Sequence, residues 1–161
     1  MMGLYSGTLE NAEKIISTPG ATTLDFLWIE LTNACNLNCS HCYAGSSPSG
    51  GQADRVSTNQ YLEVIEDAHA LGCRKVQFIG GEATLHRDLP QFIRRCHELN
   101  YEFVEVFTNL VSLSEALLEC LVRHDVAIAS SFYSHNPETH DRITGRAGSW
   151  VRTKTNLRRV V

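Results

Sequence analysis

Short apolar runs of strand length recur along the chain, separated by longer segments in which apolar residues have helical spacing. Leu24–Thr32 is mostly apolar, a pattern typical of a strand buried on both faces, as in parallel sheets. Three later runs have the strand-like character as well: Lys75–Ile79, Glu102–Thr108 and Val126–Ser131. The pattern therefore predicts four strands.

The segments between these runs predict helices. The stripe after Ser57 is the clearest, because Ser57 and Gln60 have the spacing of a capping box and Gly72 provides a stop. Asp88 is placed to cap a second helix. Further helices are predicted over Leu113–Arg123, from Ser149 to the chain end, and over Thr8–Ser17 near the chain start.

A strand followed by a helix thus occurs four times, which predicts an α/β fold with a parallel sheet and right-handed crossovers. The alternation does not distinguish an open sheet from part of a barrel. Four units cannot close a (β/α)8 barrel, which takes about 250 residues, and the last unit would leave a sheet edge uncovered. We therefore expect residues 1–23 to be a leader segment and residues 24–161 to be the N-terminal part of a larger core, or one half of an assembly.

Composition and charge narrow the class of protein. Of the 161 residues, 43% are hydrophobic and 20% are charged, which is ordinary for a globular domain. The formal net charge of -4 argues against a sequence-independent nucleic-acid binder, which would carry a basic stripe. No apolar run approaches the roughly 18–20 residues of a membrane helix, and Met1–Gly7 lacks the features of a secretion signal. We expect a cytoplasmic protein without a membrane or nucleic-acid partner.

The six cysteines fall into two groups. Cys35, Cys39 and Cys42 crowd into a polar loop after the first strand, at the edge where α/β folds place their active sites. Three thiolates are one fewer than the four that fully ligate a four-iron cluster, so one iron would stay open for a substrate or cofactor. Two alternatives stay open, a zinc site that includes His41 and a set of unligated buried thiols. Buried structural thiols are predicted for Cys73, Cys96 and Cys120.

The spacing Cys35-x3-Cys39-x2-Cys42 resembles the cluster motif of the radical S-adenosylmethionine (radical SAM) superfamily. His41 stands where that family usually has an aromatic residue or histidine near the adenine of the cofactor. Tyr43, after the third cysteine, is also common there. Together with the Gly-Gly-Glu element described next, this resemblance favours an iron-sulfur cluster over zinc.

A second motif follows the second strand. Gly80-Gly81-Glu82 resembles the family's Gly-Gly-Glu element, which binds the amino group of S-adenosylmethionine. Glycines permit close approach of the backbone to a ligand, and a carboxylate accepts charge-assisted hydrogen bonds from an ammonium group. Ala83 replaces the proline that usually follows.

Weaker matches lie after the third and fourth strands. Thr108-Asn109 resembles a polar pair that often faces the cofactor, although a plain strand end fits equally well. Ser131 and Arg142 resemble residues that contact the ribose and carboxylate of the cofactor in the peptide- and protein-modifying branch; a strand-end hydroxyl and a surface arginine are the alternatives. The segment Ile143–Trp150 also resembles that branch, and we expect it to be a loop leading into the last helix.

The resemblance spans about Leu24–Val161 and implies a partial (β/α)6 TIM-like barrel, of which the chain supplies four strand–helix units. It implies a [4Fe-4S] cluster on the three loop cysteines, S-adenosylmethionine at the open iron and a reducing electron donor. In the family, one electron cleaves the cofactor to methionine and a 5′-deoxyadenosyl radical, which removes a hydrogen atom from the substrate, here expected to be a peptide or protein. The alternatives are maturation of a small cofactor and a truncated, non-catalytic iron-sulfur or zinc-binding remnant.

Overall fold

The computed structural model describes residues 24–49 and 56–161, so the helix predicted over Thr8–Ser17 lies outside the described residues. Four strands form one parallel sheet in the order β1-β2-β3-β4, which confirms the predicted α/β alternation. They are β1 (Leu27–Glu30), β2 (Lys75–Ile79), β3 (Phe103–Phe107) and β4 (Ala127–Ala129).

Five α-helices and one 3-10 turn accompany these strands in the described ranges. The helices are α1 (Thr58–Ala70), α2 (Leu89–Glu98), α3 (Glu115–Arg123), α4 (Pro137–Thr144) and α5 (Ser149–Val160), and the 3-10 turn covers Ala83–Leu85. Within this part of the chain, no helix combines the length and the apolar character needed to cross a membrane.

One face of the sheet carries the hydrophobic core. Alternate strand residues such as Ile29, Phe78 and Val106 are buried, where they pack against the apolar stripes of the neighbouring helices. The opposite face is more open, since Trp28 is 65% exposed and Phe107 is 40% exposed. The prediction that the first strand is buried on both faces is therefore wrong for the described chain, because helices cover only one side.

The predicted capping box at the start of α1 is confirmed. The Ser57 hydroxyl accepts a hydrogen bond from the Gln60 N–H, and the Gln60 side chain accepts one from the Ser57 N–H at 2.9 Å. Asp88 does stand at the start of α2, but its carboxylate caps no backbone group. It accepts a 2.7 Å hydrogen bond from the Thr58 hydroxyl instead. This bond, outweighing partial burial, lowers the pKa of Asp88 and joins the N-termini of α1 and α2.

Helix α4 was not predicted, and it replaces part of the loop expected over Ile143–Trp150. Asn136 begins the helix by accepting a 2.9 Å hydrogen bond from the Thr139 N–H, and Pro137 occupies the first turn. Gly145 ends it in the left-handed conformation, with φ of 64°. Ile143 and Thr144 are therefore the last helical residues, and only the segment 145–148 is loop.

Candidate active site

A cavity of about 330 Å³ lies at the carboxyl ends of the strands, and we call it the cysteine cavity. Ten of the eleven predicted site residues line it: Cys35, Cys39, His41, Cys42, Gly80, Gly81, Glu82, Thr108, Asn109 and Ser131. The sheet residues Gln77, Ile79 and Phe107 form part of the same wall. Another cavity, of about 370 Å³, lies near Arg94 and Arg123 and includes none of the predicted residues. The structure therefore gathers the two predicted motifs at one place.

The thiols in this cavity lie in surroundings that disfavour their charged form. Burial raises the pKa of Cys35, which is 9% exposed. From the described residues, its sulfur receives a 3.4 Å hydrogen bond from the Leu37 N–H and a 3.9 Å contact from the Asn109 amide. Burial, followed by the neighbouring Cys35 and Cys42, also raises the pKa of Cys39. Three thiolates so close together repel one another, and a bound metal removes that cost by taking the place of the protons.

The donor set fits an iron-sulfur cluster better than one metal ion. Within residues 24–49 and 56–161, no three His, Cys, Asp or Glu side chains converge as ligands of a single ion would. A tetrahedral zinc ion holds all its ligands about 2.0–2.3 Å from one point. A four-iron cluster instead takes each cysteine on a separate iron, so its ligands surround a larger volume. Three thiols around the cysteine cavity suit that second arrangement.

The glycines of the second motif pack directly against the start of the cysteine loop. The Gly81 N–H donates to the Thr32 carbonyl at 2.6 Å, and the Glu82 N–H donates to the Ala34 carbonyl at 2.8 Å. A Cβ atom on Gly81 would lie 2.4 Å from the Ala34 oxygen, and one on Gly80 would lie 2.7 Å from the Thr32 oxygen. Side chains at 80 and 81 would therefore push the two motifs apart.

Glu82 is 2% exposed, and its carboxylate joins its own turn to the segment after β3. Oε1 accepts hydrogen bonds from the Thr108 hydroxyl at 2.6 Å and from the Thr84 hydroxyl and N–H at 2.7 and 3.1 Å. Oε2 accepts one from the Asn109 N–H at 2.8 Å. The predicted pair Thr108-Asn109 thus fixes the carboxylate, whatever else it contacts. The Asn109 amide also donates to the Asn36 side chain at 2.7 Å, which links this network to the cysteine loop.

An aromatic wall closes one side of the cavity. The rings of His41 and Tyr133 meet edge to face, with centroids 4.7 Å apart. Burial raises the pKa of Tyr133, and a hydrogen bond with the Ser131 side chain offsets part of that rise. Sequence reasoning named His41 and Ser131 but not Tyr133 as a site residue. Its position just after β4, beside a predicted site serine, was the available signal.

Arg142 is the one predicted residue outside the cavity, because its side chain is exposed on α4. A different arginine contacts the site: Arg146 Nη1 donates to the Asn36 carbonyl at 2.8 Å. The last carbonyls of α4 hold the cysteine loop as well, since Thr144 accepts from the Asn38 N–H at 2.9 Å and Ile143 accepts from the Ser40 N–H at 3.0 Å. Sequence reasoning missed this support because it assigned these residues to a loop.

The chain is similar to several known proteins. A family model described as the radical SAM superfamily matches residues 29–161. A PqqA peptide cyclase from Granulibacter bethesdensis is 32% identical over 126 residues, covering 76% of this chain and 33% of the relative. The subtilosin biosynthesis protein AlbA of Bacillus subtilis is 31% identical over 126 residues (77% and 28%), and a GTP 3′,8-cyclase of Chlorobaculum tepidum is 33% identical over 87 residues (53% and 26%).

The fold is similar to that of solved structures. A crystal structure of Streptococcus suis SuiB superposes with a TM-score of 0.74 over 99% of this chain and 37% of that protein, at 18% sequence identity. That likeness confirms the fold expected from the strand and helix pattern. The chain spans a third or less of the length of the three relatives named above.

Proposed function

Since the chain belongs to the radical SAM superfamily, we propose that Cys35, Cys39 and Cys42 bind a [4Fe-4S] cluster and that the cysteine cavity also takes S-adenosylmethionine. Membership of the family implies both cofactors, and its members are enzymes. The single observation that carries the residue assignment is that the three thiols and the Gly-Gly-Glu turn line one cavity. Zinc and a purely structural role for the thiols explain the cysteine loop but not the turn beside it.

When bound, the reduced cluster and S-adenosylmethionine supply one electron and the sulfur–carbon bond whose cleavage gives methionine and a 5′-deoxyadenosyl radical. The chain's own residues bind and orient these groups. The three cysteines supply thiolates to three irons and leave one iron for the cofactor. The rings of His41 and Tyr133 offer the adenine an aromatic surface on one side of the cavity.

Glu82 is the residue proposed to receive the ammonium group of S-adenosylmethionine. Its Oε1 accepts three hydrogen bonds, but among the described residues its Oε2 accepts only the Asn109 N–H. Each carboxylate oxygen has about two acceptor positions, so Oε2, with one bond, retains one for an ammonium. Gly80 and Gly81 add backbone groups at the cavity wall. Ser131 is proposed to contact the ribose, whereas Arg142, exposed on α4, stays a prediction from sequence alone.

We propose a peptide or protein as the substrate and a reducing protein or cofactor as the electron donor. The support is the similarity to PqqA peptide cyclase and AlbA, which each cover about three quarters of this chain. A second candidate is a small molecule such as a nucleotide, favoured by the similarity to GTP 3′,8-cyclases. The third is a cluster-binding protein without catalysis, an alternative that the cysteine motif alone leaves open.

Anaerobic reconstitution with iron and sulfide tests the proposal. We expect a brown protein with about four irons per chain that cleaves S-adenosylmethionine to 5′-deoxyadenosine under dithionite. Cys39→Ala should abolish both iron uptake and cleavage, whereas Cys120→Ala, a matched change on α3, should retain both. A brown protein that cleaves nothing would support the non-catalytic candidate. A colourless protein that contains zinc would refute all three.

The two substrate classes are separated by adding candidates to the active protein. A peptide substrate increases the rate of 5′-deoxyadenosine formation. If that peptide carries deuterium at the attacked position, the deuterium appears in the 5′-deoxyadenosine. An increase on adding GTP, with none for peptides, would favour the nucleotide candidate instead.

A further inference from the structure

Two different helices support the two halves of the cysteine cavity. The cysteine-loop half, residues 35–42, is fixed to the C-terminal end of α4. Two of its backbone N–H groups, those of Asn38 and Ser40, donate to the last α4 carbonyls at 2.9 and 3.0 Å. Gly145 lies so close that a Cβ atom there would be 2.4 Å from the Asn38 oxygen. Arg146 completes this attachment through its 2.8 Å bond to the Asn36 carbonyl.

The other half of the cavity, residues 108–111, is a second turn that follows β3 and is fixed to α5. The Thr153 hydroxyl donates to the Asn109 carbonyl at 2.9 Å, and the Asn156 amide donates to the Leu110 carbonyl at 2.7 Å. Both side chains are buried, at 1% and 9% exposure. Leu110 has φ of 57°, a conformation that costs energy for a residue with a side chain, so the turn depends on such bonds. This is the same turn that holds the Glu82 carboxylate.

One side chain joins these two helices. Asp141, on α4, accepts hydrogen bonds from the Gly148 N–H at 2.6 Å, from the Ser149 hydroxyl at 2.8 Å and from the Trp150 N–H at 2.8 Å. Gly148 is the N-cap residue of α5, and it has no side chain with which to cap the helix. Asp141 therefore supplies the cap from the preceding helix, where a carboxylate is also favoured by the helix dipole. A second link, at 2.7 Å, joins the hydroxyls of Thr144 and Ser149.

We propose that Asp141 is a positioning residue that couples the two halves of the cysteine cavity. It fixes the angle between α4 and α5, and through them it sets the position of the cluster-binding loop relative to the turn that holds Glu82. Loss of its carboxylate loosens both halves together, whereas loss of a contact on one helix loosens only the half on that helix. The inference rests on the proposed function only where cofactor binding is the readout.

Hydrogen exchange on the metal-free full chain tests the coupling without any cofactor. In Asp141→Asn, we expect faster amide exchange both in peptides covering residues 35–42 and in peptides covering 108–111. Arg146→Met should affect the first group only, and the isosteric Thr153→Val the second only. Glu138→Gln makes the same change of charge on an exposed position of α4 and should affect neither group.

Cofactor binding gives a second, independent readout on the reconstituted protein. Asp141→Asn should lower the iron content. In the protein that does hold a cluster, it should also raise the Kd for S-adenosylmethionine by roughly two- to tenfold, the effect of losing one or a few hydrogen bonds. Thr153→Val should raise the Kd and leave the iron content unchanged. If the wild-type chain takes up no iron, the proposed function fails while the exchange comparison still stands.

If the amide exchange rate in Asp141→Asn increases in only one of the segments 35–42 and 108–111, or in neither, the inference is overturned. If that variant does not fold, Ser149→Ala replaces it, because it removes one of the three bonds to Asp141 and the bond to Thr144. The same two-sided increase, smaller in size, is then expected, and a one-sided increase again contradicts the coupling.

Discussion

The cysteine loop and the Glu82 turn lie against each other but are stabilised in opposite ways. The Cys35 sulfur receives one N–H bond and one long amide contact, and the loop takes its shape from backbone bonds to α4. The Glu82 carboxylate receives four hydrogen bonds, and its side chain joins its own turn to the segment after β3. The difference shows that the cysteine side chains contribute little to the stability of the fold and are available to bind a ligand. The glutamate side chain also stabilises the fold.

This contrast is measurable as the free energy of unfolding of the metal-free chain. The largest loss is expected for Glu82→Gln, because the buried amide cannot accept the bonds that the carboxylate accepts on both oxygens. We expect about 3 kcal/mol, measured by urea unfolding. Glu102→Gln, at an exposed position before β3, is the control and should change little. A loss below about 1 kcal/mol for Glu82→Gln would remove the framework role.

Gly81→Ala should have the next largest effect, since its Cβ atom would lie 2.4 Å from a backbone oxygen that cannot move away cheaply. We expect a loss of about 2 kcal/mol together with lower iron uptake, because the cysteine loop shifts. Gly45→Ala separates this contact from backbone strain. Gly45 has φ of 62° and no atom within 4 Å of the added carbon, so about 1 kcal/mol is expected. Equal losses for the two variants would contradict the close-packing account.

Acid should loosen the cysteine-loop side of the site through α4. His140, on α4, is 1% exposed, and its Nδ1 has no hydrogen-bond partner in the described chain. Burial lowers the pKa of His140 by more than the nearby Asp141 raises it. The unfolded chain, with a His pKa of about 6.5, then binds more protons than the folded chain, so stability is full above that pH and falls as the pH drops below it.

The test is the urea midpoint as a function of pH. His140→Phe should flatten its decline below about pH 6.5, because the ring contacts with Phe132 and Tyr133 can persist without a titrating group. The exposed His135 gives a control, His135→Gln, which should retain the wild-type decline. An unchanged slope in His140→Phe would show that another group is responsible.

The smallest change in folding stability is expected for Cys39→Ala. The thiol is partly buried and packs against the small cluster that contains Leu37 and Val111, so its removal should cost less than about 1 kcal/mol. Iron uptake should nevertheless be lost. A variant that unfolds would show that the loop cysteines, like Glu82, belong to the framework, and the contrast between the two motifs would disappear.

The sequence was sufficient for the repeating strands and for the residues that line the cavity, because short apolar runs and motif spacing are local signals. It was not sufficient for α4, whose polar sequence has a short helical stripe and is fixed by contacts with the cysteine loop. The same limit explains why the wrong arginine was predicted to contact the site. The position in the motif pointed to Arg142, whereas the fold brings Arg146 to Asn36. Asp88 is a similar case, since its partner Thr58 lies thirty residues earlier in the chain.

The close approach of Gly81 to Ala34 has a consequence for anyone who wants to move this site into another scaffold. The cysteine loop and the Gly-Gly-Glu turn share a backbone ladder, in which Gly81 and Glu82 donate to Thr32 and Ala34. Neither segment could therefore be transferred to another protein without the other. A designer would have to transplant two adjacent parallel strands together with both loops, and any insertion between Thr32 and Cys35 would have to be matched by a compensating change after Ile79.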